Sequence, residues 1–157
     1  MIQLDSILTP ARSRVNVPGA CKTEVLESVA RLFAAEQPGL DAEQLLANLL
    51  AREKLGSTGF GNGIAIPHCR LAGCSSAVGA LLQLATPVDF NAIDGAPVDL
   101  LFVLLVPESA TEEHLGLLRQ IASLFDNEAT REQLRKATDD AALYQAALCS
   151  PTPGGSA

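Results

Sequence analysis

Apolar residues along this chain begin at helical spacing, close up into strand-like runs, and return to helical spacing. Val25, Val29, Leu32 and Phe33 recur three and four residues apart, up to about Ala35. Thr23 before them reads as an N-cap with Glu24 in the first turn. Pro38-Gly39 breaks that helix. Asp41 and Gln44 resemble a capping box ahead of the stripe Leu45, Leu46, Leu49 and Leu50, and this second helix ends near Lys54. Upstream, residues 4–8 predict one helical turn stopped by Pro10, and Arg14 to Val17 a short strand.

The middle of the chain has another rhythm. Ala77 to Ala85 and Val98 to Val106 are apolar runs of strand length. In the first, Val78, Ala80, Leu82 and Leu84 face one way, and Leu81 and Ala85 the other. Both faces are mostly apolar, as expected of strands covered on both sides. Asp89 to Pro97 connects the two, with Asp94-Gly95 as its turn. Beyond Pro107, Thr111 predicts a helix cap, with Glu112 and Glu113 in the first turn and His114, Leu118, Ile121 and Phe125 along one face. Further helices are expected over Ala129 to Ala137 and from Thr138 to about Leu148. Helices before and after doubly covered strands predict an α/β sandwich in one domain over residues 1–150. The Pro/Gly/Ser segment 151–157 is expected to be a disordered tail.

One segment follows neither rhythm. From Gly56 to His68 the chain reads GSTGFGNGIAIPH, with glycines at 56, 59, 61 and 63. Glycine permits positive φ and close approach of backbone to a ligand. Pro67 biases Ile66 toward an extended conformation, so Ile64 to Ile66 predict a short strand that delivers His68 at its end. A neutral imidazole is a nucleophile at physiological pH. Set beside backbone N–H groups and hydroxyls, it suits the acceptance of a phosphoryl group.

Charge sharpens that picture. The 157-residue chain is 48% hydrophobic and carries a formal charge of −7, which argues against nucleic-acid binding. Between Arg52 and Arg70, however, three cations (Arg52, Lys54, Arg70) face one anion (Glu53), leaving +2 where an anionic adduct would sit. The N-terminus lacks a signal pattern, and the most apolar run is too short to span a bilayer, so a cytoplasmic protein without membrane insertion is expected. Cys21, Cys69, Cys74 and Cys149 contain no Cys-x-x-Cys pair, and incidental reduced thiols are expected.

The blocks Arg12-Ser13-Arg14-Val15, Ala51-Arg52-Glu53-Lys54-Leu55-Gly56-Ser57-Thr58-Gly59, Asp89 to Gly95, Pro97 to Phe102 and Glu113-His114-Leu115 extend around the glycine segment. Together they resemble the enzyme IIA proteins of the fructose/mannitol/nitrogen-regulatory class of the bacterial phosphotransferase system, most of all the stand-alone nitrogen-regulatory member. The resemblance implies a small mixed sheet with helices on both faces. It implies that His68 is the phosphoacceptor, modified on Nε2 while a backbone carbonyl holds Nδ1–H. It makes His114 a neighbour that orients the phosphoryl oxygens, and Arg52 a stabilising cation.

For each of these there is a plainer reading. His68 alone would be a loop histidine bonded to its neighbours, His114 a half-buried histidine beside Leu118, and Arg52 an answer to the helix dipole. Ser57, Thr58 and Gly59 form the expected phosphate loop, though the two hydroxyl residues would serve equally as turn formers. Cys69 follows His68 where a glycine is the familiar alternative, which leaves open any partner surface built there.

The resemblance further implies a small histidine-containing phosphocarrier as donor, no cofactor, and regulatory targets such as potassium transporters or sensor kinases. The absence of a fused permease or enzyme IIB segment favours regulation over sugar uptake. A sugar-delivering enzyme IIA that passes phosphate to an enzyme IIB is the alternative. A zinc- or thiol-dependent hydrolase using His68, Cys69 and His114 is the third and weakest reading.

Overall fold

The computed structural model describes residues 7–37, 39–56, 58–71, 76–108 and 112–149, without the side chains of 60, 112–115 and 149. After a 3-10 turn over Pro10–Arg12 come β1 (Ser13–Val17), α1 (Lys22–Glu36), α2 (Ala42–Leu55), β2 (Gly59–Gly61), β3 (Ile64–Ala65) and β4 (His68–Leu71). Two long strands follow, β5 (Val78–Val88) and β6 (Val98–Pro107), and then α3 (Glu112–Asp126), α4 (Glu128–Lys136) and α5 (Asp140–Cys149).

The strands form one mixed six-stranded sheet in the order β1-β5-β6-β3-β2, with β4 also paired to β6. At its centre β5 and β6 run antiparallel with Leu81 opposite Phe102 and Leu82 opposite Leu101. β1 joins β5 in parallel, and β3 and β4 both join β6 in parallel. Because strand side chains alternate, the two central strands feed two cores. Ala80, Leu82, Leu101, Val103 and Leu105 meet Val25, Val29, Phe33, Leu45 and Leu49 of α1 and α2. Leu81, Leu100, Phe102 and Leu104 meet Ile121 and Phe125 of α3, Leu134 of α4 and Leu143 of α5. Helices on both faces are what the doubly apolar strands predict, and the mixed sheet is what the resemblance implies. Ala85, expected to share the face of Leu81, is exposed.

Several local expectations are corrected. Helix α1 is capped at Cys21, so Thr23 already lies inside it, and Glu24 reaches back to accept from the Ala20 N–H at 2.7 Å. Asp41 does cap α2, accepting from Glu43 N–H at 3.1 Å, but Gln44 bonds Asn48 and completes no capping box. Pro10 opens a 3-10 turn, where its fixed φ is favourable. Residues 4–6, Pro38 and the Thr111 cap lie outside the described residues, as does the segment 151–157.

Candidate functional site

The site is built where α2 ends. Its last turn carries Arg52 and Lys54, cations placed where the helix dipole favours them. Arg52 folds over this end, donating from Nη1 to the Gly56 carbonyl at 2.8 Å. The chain then turns back as a hairpin, with Gly61 opposite Ile64 and Asn62-Gly63 as the two-residue turn. Asn62 (φ 58) and Gly63 (φ 81) both take positive φ, the geometry of a type I′ turn, whose twist suits tight hairpins. A side chain at Gly63 would run into Arg135, and its Cβ would come within 2.7 Å of Asp99 Oδ1. Glycine is favoured there by its positive φ, and a larger residue would displace both side chains. Arg135 locks the turn from outside, bonding Asp99 through Nε and Nη2 at 2.9 Å each and the Asn62 carbonyl through Nη2. From the β5–β6 loop, Asp94 accepts the Asn62 N–H at 3.0 Å.

His68 does not end the strand of Ile64. That strand stops at Ala65, and His68 opens β4 after a two-residue gap at Ile66-Pro67. β3 and β4 pair with one edge of β6, Ala65 opposite Leu101 and His68 opposite Leu104, so they are two lengths of a single interrupted strand, with β2 outside the first length. In the gap, Ile66 donates its N–H to Thr58 O at 3.0 Å, and Pro67 O accepts from Leu104 N–H at 2.9 Å. The backbone beneath the imidazole is thereby held from both sides.

Among the described residues the ring has two partners. Its Nδ1 lies 2.9 Å from Ile66 O, and Arg52 Nε lies 3.4 Å from its Nε2. A carbonyl only accepts and a guanidinium only donates, so the proton belongs on Nδ1 and the lone pair on Nε2. The Arg52 contact is long, which leaves that lone pair weakly engaged. Burial holds the His68 pKa below its usual 6.5; the Ile66 hydrogen bond opposes this, the charge of Arg52 adds to it, and Glu53 opposes it. We expect an NMR titration of the His68 ring to give a midpoint below 6.5 and Arg52→Met to move it upward. A downward move in that variant would contradict the assigned electrostatics.

The other expected site residues divide. Arg52 and His68 are brought together. Thr58 is close by, but in this structure its N–H and its hydroxyl both go to Glu53. Those donors are committed within the protein, which differs from the phosphate-facing role expected of them. Gly59 opens β2. Ser57 and Cys74 lie outside the described residues. The backbone of His114 falls in the first turn of α3, and its side chain lies outside the described residues. Among the described residues no cluster of three His, Cys, Asp or Glu side chains is arranged to hold a metal.

Beside Arg52, an open groove of about 530 Å³ is lined by Arg52, Leu55, Cys69 and Arg70 among others. Leu55 is 86% exposed, an apolar side chain left in water on the rim of a groove that carries Arg52, Arg70 and Glu108. Among the described residues no helix is long and apolar enough to cross a membrane.

Residues 6–148 match the family model described as "Phosphoenolpyruvate-dependent sugar phosphotransferase system, EIIA 2". The chain is 66% identical over 145 residues to a nitrogen regulatory protein of Pseudomonas aeruginosa, covering 92% of this chain and 94% of that one. It is 44% identical to the nitrogen regulatory protein of Escherichia coli K12, covering 92% and 88%. The crystal structure of the nitrogen regulatory protein IIA-Ntr from Neisseria meningitidis superposes with a TM-score of 0.82 at 38% identity, covering 90% of this chain and 97% of that one. With a match over nearly its whole length and these relatives, the chain belongs to the EIIA 2 family of the phosphoenolpyruvate-dependent phosphotransferase system.

Proposed function

We propose that the protein accepts a phosphoryl group on His68 Nε2 from a phosphohistidine of a small carrier protein. The N–P bond of the donor breaks as the new N–P bond forms. The donor imidazole keeps the electron pair of the broken bond, and Nε2 supplies the pair for the new one. The observation that carries this reading is the state of the ring: Nδ1–H bound to Ile66 O, Nε2 unprotonated, and a guanidinium beside it. A nucleophile already neutral and oriented needs no base to activate it, and the remaining work is alignment and charge stabilisation. Arg52 is suited to hold phosphoryl oxygens, since its planar fork matches their geometry. His114 is assigned to orient the same oxygens.

The output we infer is regulatory and cytoplasmic. Phosphorylation adds nearly two negative charges, enough to make or break a protein contact at the groove beside Arg52. Identity to proteins named for nitrogen regulation supports this choice. Potassium transporters and sensor kinases are the target classes that we assign. The family description, which names a sugar phosphotransferase system, supports a second reading in which phosphate passes on to an enzyme IIB.

The test is intact-mass spectrometry under alkaline conditions, after incubation with phosphoenolpyruvate, enzyme I and the histidine phosphocarrier. One added phosphoryl group is expected; no gain in mass would end the proposal. Capture with the phosphorylated and unphosphorylated forms as bait then separates the outputs: a transporter or kinase supports regulation, and a sugar-specific enzyme IIB supports uptake.

A further inference from the structure

Glu53 sits one residue after Arg52, roughly a quarter-turn around α2, and points away from the groove. Its side chain is only 5% exposed. A carboxylate that far from water is costly unless it is paired and hydrogen-bonded. Here it is both: Lys22 Nζ lies 2.9 Å from Oε2, and Thr58 offers its N–H at 3.2 Å together with its hydroxyl.

Lys22 is itself placed against local preference. It is the first residue of α1, where the helix dipole disfavours a cation. It stays there between Glu53, Asn91 Oδ1 at 3.1 Å and the face of Phe90, 5.3 Å from the ring centre. A residue that breaks a local rule marks a place where another requirement won.

The contacts run on toward the imidazole. Glu53 holds Thr58, Thr58 O accepts from Ile66 N–H, and Ile66 O accepts from His68 Nδ1. We infer that Glu53, charge-paired to Lys22, is a positioning residue that acts through Thr58 and the Ile66 peptide to fix the tautomer and aim of His68. The inference rests on the proposed phosphoacceptor role and adds to it a part for two residues that never touch the phosphoryl group. Arg52 and Glu53 then divide the work of one helix end: Arg52 faces the reacting nitrogen and Glu53 secures the opposite one.

The test is Glu53→Gln in the full chain, read in two ways. Nitrogen-15 NMR of the His68 ring, which needs no phosphate donor, should change from one Nδ1–H tautomer to a mixture. Single-turnover phosphoryl uptake from the phosphorylated carrier should show a maximal rate lower by about tenfold or more, with half-saturation within about twofold, as misaimed reactants lose rate and not affinity. Lys22→Met should repeat both effects and Lys22→Arg, which keeps the charge, should restore both. This pair decides the matter should the Glu53 variant fail to fold. A ring that keeps its single tautomer in Glu53→Gln or Lys22→Met overturns the inference, whatever happens to thermal stability. If wild-type protein takes up no phosphate, the phosphoacceptor reading falls, while the NMR arm still decides the positioning claim.

Discussion

Replacing His68 with alanine is expected to abolish phosphate uptake while leaving the fold intact. The ring is only half buried at the first position of a short strand, so its loss opens little of either core. No neighbouring side chain described here is placed to substitute for it. The Arg52 guanidinium only donates hydrogen bonds and is no nucleophile. The Thr58 hydroxyl is bound to Glu53, and Cys69, next along β4, packs against the α1/α2 core. Uptake measured by intact mass should therefore fall to background, with a melting temperature near that of the wild type. His114→Ala is the control: it should still accept phosphate, more slowly. Full labelling of the His68 variant would refute the nucleophile assignment, and loss of labelling in the His114 variant alone would exchange the two roles.

The largest effect on stability is expected at Phe102. It is fully buried at the centre of β6, opposite Leu81, and meets Phe125 of α3 edge-on with ring centroids 6.1 Å apart. Truncation to alanine removes the transfer energy of the ring, leaves a cavity and breaks an aromatic pair. Phe102→Ala should cost about 3–5 kcal/mol, against the roughly 5–15 kcal/mol by which a domain is ordinarily stable. Because β6 also carries β3 and β4 on one edge, partial unfolding there would release the His68 segment. Urea denaturation gives the free-energy loss directly, and a loss under about 1 kcal/mol would mean that the core repacks around the gap.

Elements and layers could be read from the sequence because burial leaves a period. The stripes on α1 and α2 and the doubly apolar β5 and β6 each report which side meets the core. The order of strands could not be read, since every buried strand looks alike in one dimension. The N-cap of α1 is not legible in the sequence, because Thr23 is a good capping residue in its own right and Glu24 reaches back from inside the helix. The hairpin at Asn62-Gly63 did carry a signal, an Asn-Gly pair between short extended stretches, but four glycines in eight residues masked it as a loop. His68 and Arg52 stood out through their company. Glu53 did not: in sequence it is merely the one anion in a basic stretch, and only folding brings Lys22, 31 positions away, against it.

The break between Ala65 and His68 also has a bearing on how this chain can vary. In the break Ile66 turns its N–H to Thr58 and its carbonyl to the imidazole, and Pro67, by fixing its own φ and restricting Ile66, sets the direction of that carbonyl. Any other residue at 67 would free that peptide to rotate, so a sheet of unchanged pairing would carry a freely spinning, poorly aimed ring.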